Sequence, residues 1–195
     1  MGTSISHRSP KTLNWRAAVT SYTSENISLS RAVEEVWKAI KYQPDSNLVE
    51  EMGSPIVAKC LQISLLGISP EQAAVDVSRI IALSGRSSIA TDIARRAAIY
   101  STRNPKDRIN SFVQYLFSKA FDYLVSRDLS GYIGYSKRFR NVSASIKYKN
   151  AMQEEVKKII INVSPPEGVE KEAEIWSKYV DEVTLALAGV ERNET

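Results

Sequence analysis

Eleven cations could grip something negative along this chain: Arg86, Arg95, Arg96, Arg103, Lys106 and Arg108, then Lys137, Arg138, Arg140, Lys147 and Lys149. The second group lies in "GYIGYSKRFRNVSASIKYK", residues 131–149, which carries five basic residues, four aromatics and no acid. Lys and Arg presented together with few acids nearby hold phosphate oxygens, and planar side chains among them stack on bases. Arginine dominates the first group, and its fork can take a phosphate bidentately. Tyr135 and Phe139 are the candidate stacking side chains, with Lys137, Arg138 and Arg140 on phosphates. Lys106 and Arg108 fall in the expected first turn of a helix, where a cation opposes the dipole by about 0.3–1 kcal/mol. Something other than helix stability must keep them there.

The charge division reinforces this reading. Residues 1–78 carry 7 basic and 8 acidic side chains, residues 79–149 carry 14 and 4, and residues 150–195 carry 5 and 10. A middle third this basic between neutral and acidic flanks is unlike a mixed solubilising surface.

Catalytic chemistry has little to work with. His7 is the one histidine and Cys60 the one cysteine, so a His-based triad or a His/Cys metal site has no material. Asp76, Asp92, Asp107, Asp122 and Asp128 occur singly on separate helices and read as surface acids. No glycine-rich phosphate loop occurs. "GYIG", Gly131 to Gly134, matches the bare Gly-x-x-Gly of KH loops, but a KH fold needs a sheet; Gly131 reads instead as the end of a helix. The expectation is a non-catalytic protein with no cofactor and no metal. Cys60, in the apolar pattern "PIVAKCLQISLLG", is expected to be a buried thiol.

The elements that must position these residues all have helical period. "KTLNWRAAVTSY" is a short helix candidate. "SRAVEEVWKAI" puts Val33, Val36, Trp37 and Ile40 on one face, capped by Ser28 or Ser30. Ser54 and Pro55 open the next helix and Gly67 stops it. Ser69, Pro70 and Gln72 form a capping-box pattern, and Gly85 closes that helix. In "SSIATDIARRAAIYS" the inward side is Ile89, Ile93, Ala97 and Tyr100, with the arginines on the flanks. A long helix then starts at Asn104, Pro105 and Asp107. Its apolar arc (Ile109 through Phe112, Leu116 and Phe121 to Tyr123 and Leu124) is too wide for one neighbour, so it is expected at the centre. "NVSASIKYKNAMQEEVKKIIINV" has Val142, Ile146, Val156 and Ile160 inward, and "EKEAEIWSKYVDEVTLALAG" has Trp176, Val180, Val183 and Leu187. The fold class is all-α, a single-domain bundle of seven to eight helices over residues 11–189. Residues 1–10 and 190–195 are tails, and 169–188 form an acidic final helix. Helical order would place the 86–108 and 137–149 cations at the two ends of the central helix.

With "SSIATDIARRAAIYSTRNPKDR", and "GYSKRFR" after a long helix, the chain resembles the helical small subunits of CRISPR surveillance complexes in size, helical class and charge. That resemblance implies an all-α, non-catalytic subunit, basic on one face, lying beside guide RNA and target DNA through backbone contacts. The expected partners are RNA or single-stranded DNA backbone and other protein subunits, with self-association among them, in a cytoplasmic setting. Two other readings stand beside it. The basic face could dock an acidic protein partner. "MGTSIS" fits an N-myristoylation pattern with Gly2 as acceptor, which would suit a membrane-surface protein. No stretch approaches the ~18 apolar residues of a membrane span, and the myristoylation pattern is short with the strongest positive field far along the chain from it, so membrane attachment is the less expected.

Overall fold

Helix punctuation is local chemistry, and it is where sequence and structure meet first. The computed structural model of the chain describes residues 18, 20, 23, 27–41, 47–135 and 137–190. The expected tail at 1–10 with Gly2, most of the helix candidate at 11–22, and residues 191–195 lie outside these. Among the described residues the α-helices with full bounds are α1 (Leu29–Lys41), α2 (Leu48–Met52), α3 (Pro55–Leu65), α4 (Pro70–Ser84), α5 (Ile89–Thr102), α6 (Arg108–Leu129), α7 (Val142–Ile161) and α8 (Ala173–Leu187), with a 3-10 turn at Ser130–Tyr132. Among the described residues there is no strand, only an isolated bridge between Ile133 and Phe139. The fold is a single all-α bundle.

The caps explain the boundaries. Ser28 Oγ accepts the Arg31 N–H at 3.2 Å and starts α1. Ser69 Oγ accepts the Gln72 N–H at 3.2 Å, but the reciprocal half of the expected box is missing, because the Gln72 amide donates to Asp76 at 3.0 Å. The complete box opens α5 instead. There Ser88 Oγ accepts from the Thr91 N–H and Thr91 Oγ1 from the Ser88 N–H. Each such cap contributes about 1 kcal/mol. Gly85 takes φ +63° to end α4, a left-handed conformation that suits glycine. The central helix begins at Arg108, not Asn104. Residues 104–107 form a turn in which the Asp107 N–H donates to Asn104 O at 3.2 Å, while the Asn104 amide donates to Ser111 Oγ at 2.8 Å.

α6 is central, flanked by α5 and α7 and touched by α3. Phe112, Val113, Leu116, Phe117, Ala120, Phe121, Leu124 and Val125 are all buried, which is the wide arc at work. Tyr123 leaves that arc and is 38% exposed. α5 meets α3, α4 and α6 through Ala90, Ala94, Ala97, Ala98 and Ser101; small side chains let helix backbones approach. Tyr100, expected inward, stands half exposed at its edge.

α8 lies on α1, α2, α3 and α7 with Trp176, Tyr179, Val180, Val183 and Leu187 buried. Trp176 Nε1–H donates to Met52 O at 2.8 Å, and its ring meets the Phe112 edge at 5.8 Å. Trp37 of α1 packs on Phe117 at 5.4 Å. On α7 the buried positions are Ser145, Met152, Val156 and Ile160. Val142 and Ile146 are exposed, since Ile146 stands about 100° round the helix from Ser145. Val190, expected in the tail, packs against the core. α4 is peripheral: it rests on α3 and α5, only Ala73 and Val77 are fully buried, and Val75 and Leu83 face outward.

Candidate nucleic-acid interface

α5 and α6 run antiparallel, joined by the turn at 103–107. Near that turn Tyr100 stacks on Tyr115 with centroids 5.0 Å apart. Further along, Ile89, Asp92 and Arg96 of α5 face Tyr115, Lys119, Asp122 and Tyr123 of α6 across an open groove of about 520 Å³. Lys119 Nζ stands 6.0 Å from the Tyr115 ring centroid.

A second groove, of about 430 Å³, lies between α4 and α5 and is bordered by Ser78, Ile81, Arg86, Thr91, Asp92 and Arg95. Asp92 belongs to both grooves. Its two oxygens take Arg95 Nη2 at 3.2 Å and Arg96 Nη2 at 3.6 Å. Arg86, Arg95, Arg96 and Lys119 therefore follow one surface, with Asp92 paired to the two middle arginines and Asp122 Oδ2 3.8 Å from Lys119 Nζ. Beyond Arg86 the strip stops, because the next cleft is lined by Glu50 and Glu51.

The antiparallel return of α5 changes the expected placement of the cations. Arg96 faces Lys119, Asp122 and Tyr123 in the C-terminal half of α6, where Lys149 of the 137–149 segment also reaches Asp122, and Arg86 and Arg95 border the neighbouring groove. Only Arg103, Lys106 and Arg108 are at the opposite end. Lys149 makes the link on α7. Its Nζ sits 3.0 Å from Asp122 Oδ1 and 3.3 Å from Ser126 Oγ, so it borders the α5–α6 groove as an ion-paired residue. Burial pushes the Asp122 carboxyl up, but the hydrogen bonds from Ser126 and Lys149 and the charges of Lys149 and Lys119 outweigh it and hold it below its ordinary value.

Of the cations at the opposite end, Arg108 is committed inside the protein. Arg108 Nη1 donates to Leu65 O at 3.2 Å. It satisfies a carbonyl at the end of α3, which explains a cation at an unfavourable helix start. Lys106 lies in the preceding turn, outside the helix. Arg103 ends α5, exposed, and its charge acts on Glu71. The Glu71 carboxyl is held below its ordinary value first by a hydrogen bond from its own backbone, then by Ser69, and least by Arg103.

Phe139 is buried, 4% exposed, with Tyr148 at 5.3 Å between centroids. It is therefore a core anchor with no face for a base, which corrects the expectation. The Arg138 guanidinium covers this pair, 5.2 Å from Phe139 and 5.4 Å from Tyr148. Burial raises the Tyr148 phenol and Arg138 opposes the shift.

That anchor holds a pinched loop. The Gly134 N–H donates to Phe139 O at 2.9 Å and the Phe139 N–H to Tyr132 O at 3.0 Å. Gly134 has φ +137°, which favours glycine. Tyr135 stands 99% exposed at the tip, with Lys137 and Arg140 exposed in the same loop and Lys147 on α7. Lys119, Tyr115 and Tyr123 were missed as site residues. Their i, i+4, i+8 spacing on one helix face was the available signal.

Among the described residues no group of three or more His, Cys, Asp or Glu could hold a metal, and no helix is long and apolar enough to cross a membrane. Cys60 is buried, and burial pushes its thiol up to about 12. Comparison with protein-family models, curated proteins and solved structures finds no match to this chain.

Proposed function

We propose that the protein is a non-catalytic subunit that binds nucleic-acid backbone within a larger assembly. The observation that carries this reading is the continuous surface from Arg86 through Arg95 and Arg96 to Lys119, floored by tyrosines and joined at Asp122 to Lys149. With Lys137, Arg140 and Lys147 exposed at the same end, about six phosphates come within reach of one surface. The resemblance in size, helical class and charge suggests a ribonucleoprotein such as a CRISPR surveillance complex as that assembly.

A salt series of fluorescence-anisotropy titrations on labelled RNA and DNA tests the reading. Six phosphate contacts imply a log–log slope of about −5. An Arg95→Ala, Arg96→Ala, Arg140→Ala variant that keeps its circular dichroism should bind more weakly, with a slope about 2–3 units shallower. Absence of binding at 50 mM salt overturns it. The surface would then be left as a dock for an acidic protein, a role that a second copy could fill with exposed Glu154, Glu174 and Asp181.

A further inference from the structure

The α5–α6 groove mixes three kinds of group in a way that distinguishes one form of nucleic acid from another. Its cations, Arg96 and Lys119, share it with the carboxylates of Asp92 and Asp122 and with the rings of Tyr115 and Tyr123. A duplex offers such a groove its phosphates and base edges but no base faces, since its bases are stacked inside. Two carboxylates facing those phosphates cost binding energy. A single strand can turn the other way. Its unstacked bases have π-faces for tyrosine and N–H donors for carboxylates, while its phosphates follow the cations at the edge. Asp122 is held ionised by Ser126 and Lys149 and so stays an acceptor.

Dimensions agree. Axes of neighbouring packed helices lie about 8–10 Å apart, so the furrow between them meets single bases along the side chains that line it. Tyr115 and Tyr123 are eight residues apart on α6, a rise of about 12 Å, which matches three to four steps of a strand stacked at 3.4 Å. Tyr115 is already steadied by Tyr100 at 5.0 Å and by Lys119 at 6.0 Å. The Tyr123 ring is open to solvent on α6.

Resting on the nucleic-acid reading above, we infer that the groove between α5 and α6 is a single-strand site that takes bases onto Tyr115 and Tyr123 and leaves the phosphates to Arg86, Arg95, Arg96 and Lys119. In this arrangement Asp92 and Asp122 act against duplex, so the site selects strand form and is indifferent to base sequence.

The test uses the full chain, a labelled 20-nucleotide single strand as RNA and as DNA, and the matching duplexes, in anisotropy titrations at 50 and 150 mM salt. Single strands should bind at least tenfold tighter than duplexes. Tyr123→Ala should weaken single-strand binding about 5- to 50-fold, with the salt slope and duplex affinity unchanged, while Tyr123→Phe keeps wild-type affinity. Arg96→Ala should instead make the slope shallower. Tyr123 is exposed, so both its variants should fold, with circular dichroism as the check. Equal or tighter duplex binding, or full affinity in Tyr123→Ala, overturns the single-strand site while leaving backbone binding intact. No binding of any strand overturns both. RNA bound more tightly than DNA, or the reverse, supports the site and identifies its natural strand.

Discussion

Lys149 Nζ lies 3.0 Å from Asp122 Oδ1, each side chain about a quarter exposed, and this contact ties α7 to the central helix at the edge of the basic groove. The same carboxylate accepts Ser126 Oγ–H at 2.6 Å. Removing the ammonium would leave a largely buried carboxylate with only Ser126 and the more distant Lys119, at 3.8 Å, to offset it. Lys149→Met is expected to lower stability in urea denaturation by about 1–3 kcal/mol, between the values for exposed and buried pairs. A wild-type midpoint would show that the contact adds nothing.

The pH dependence follows from the same carboxylate. Asp122 has its folded pKa lowered, so its contribution is fully present above the unfolded value of ~3.9 and is lost as pH falls through the folded value. In Lys149→Met that depression shrinks. The acid-unfolding midpoint should therefore move to higher pH, as followed by far-UV circular dichroism. A midpoint unmoved or lowered would contradict the assignment.

Loop tip and loop anchor should separate cleanly. Tyr135→Ala removes a side chain that touches almost nothing and should leave the melting temperature within a degree or so. Phe139→Ala removes a core ring together with its packing on Tyr148 and Arg138, at a cost of about 3–5 kcal/mol. Thermal unfolding of the two variants side by side measures the contrast.

Cys60 should be silent toward thiol reagents in the native state, because it is buried and its thiol is pushed up to about 12. Ellman's reagent at pH 8 is expected to label it at the rate of unfolding, and within seconds in concentrated urea. Rapid native labelling would place the thiol elsewhere.

Much of this fold was legible from short-range chemistry. The Ser69–Pro70 start and the Gly85 stop depend on neighbours a few residues away, and a strict 3.6 period marked Val33, Val36, Trp37 and Ile40 as core. Positions decided by distant partners were harder. Tyr100 and Tyr123 have helical spacing compatible with burial, and only the antiparallel return of α5 shows that Tyr123 edges a groove and that Tyr100 rests on Tyr115 beside it. Phe139 sits in a run of cations and reads as a surface residue, yet its ring is needed under Tyr148. Arg108 looked electrostatically misplaced until Leu65 O, 43 residues earlier, supplied its partner. The charge imbalance was visible in the sequence, but which cations were already spent on internal contacts was not.

The peripheral seat of α4 has a consequence for how this protein breathes. A helix with Ala73 and Val77 fully buried and Ile80 and Ile81 partly so has a small core footprint, so its amides should exchange with deuterium through a subglobal opening cheaper than full unfolding. The turn carrying Arg86 moves with α4, whereas Arg96 and the tyrosines stay on the slow-exchanging scaffold. The basic strip should thus show a yielding edge at Arg86 and a fixed one at Tyr123 in such an exchange measurement.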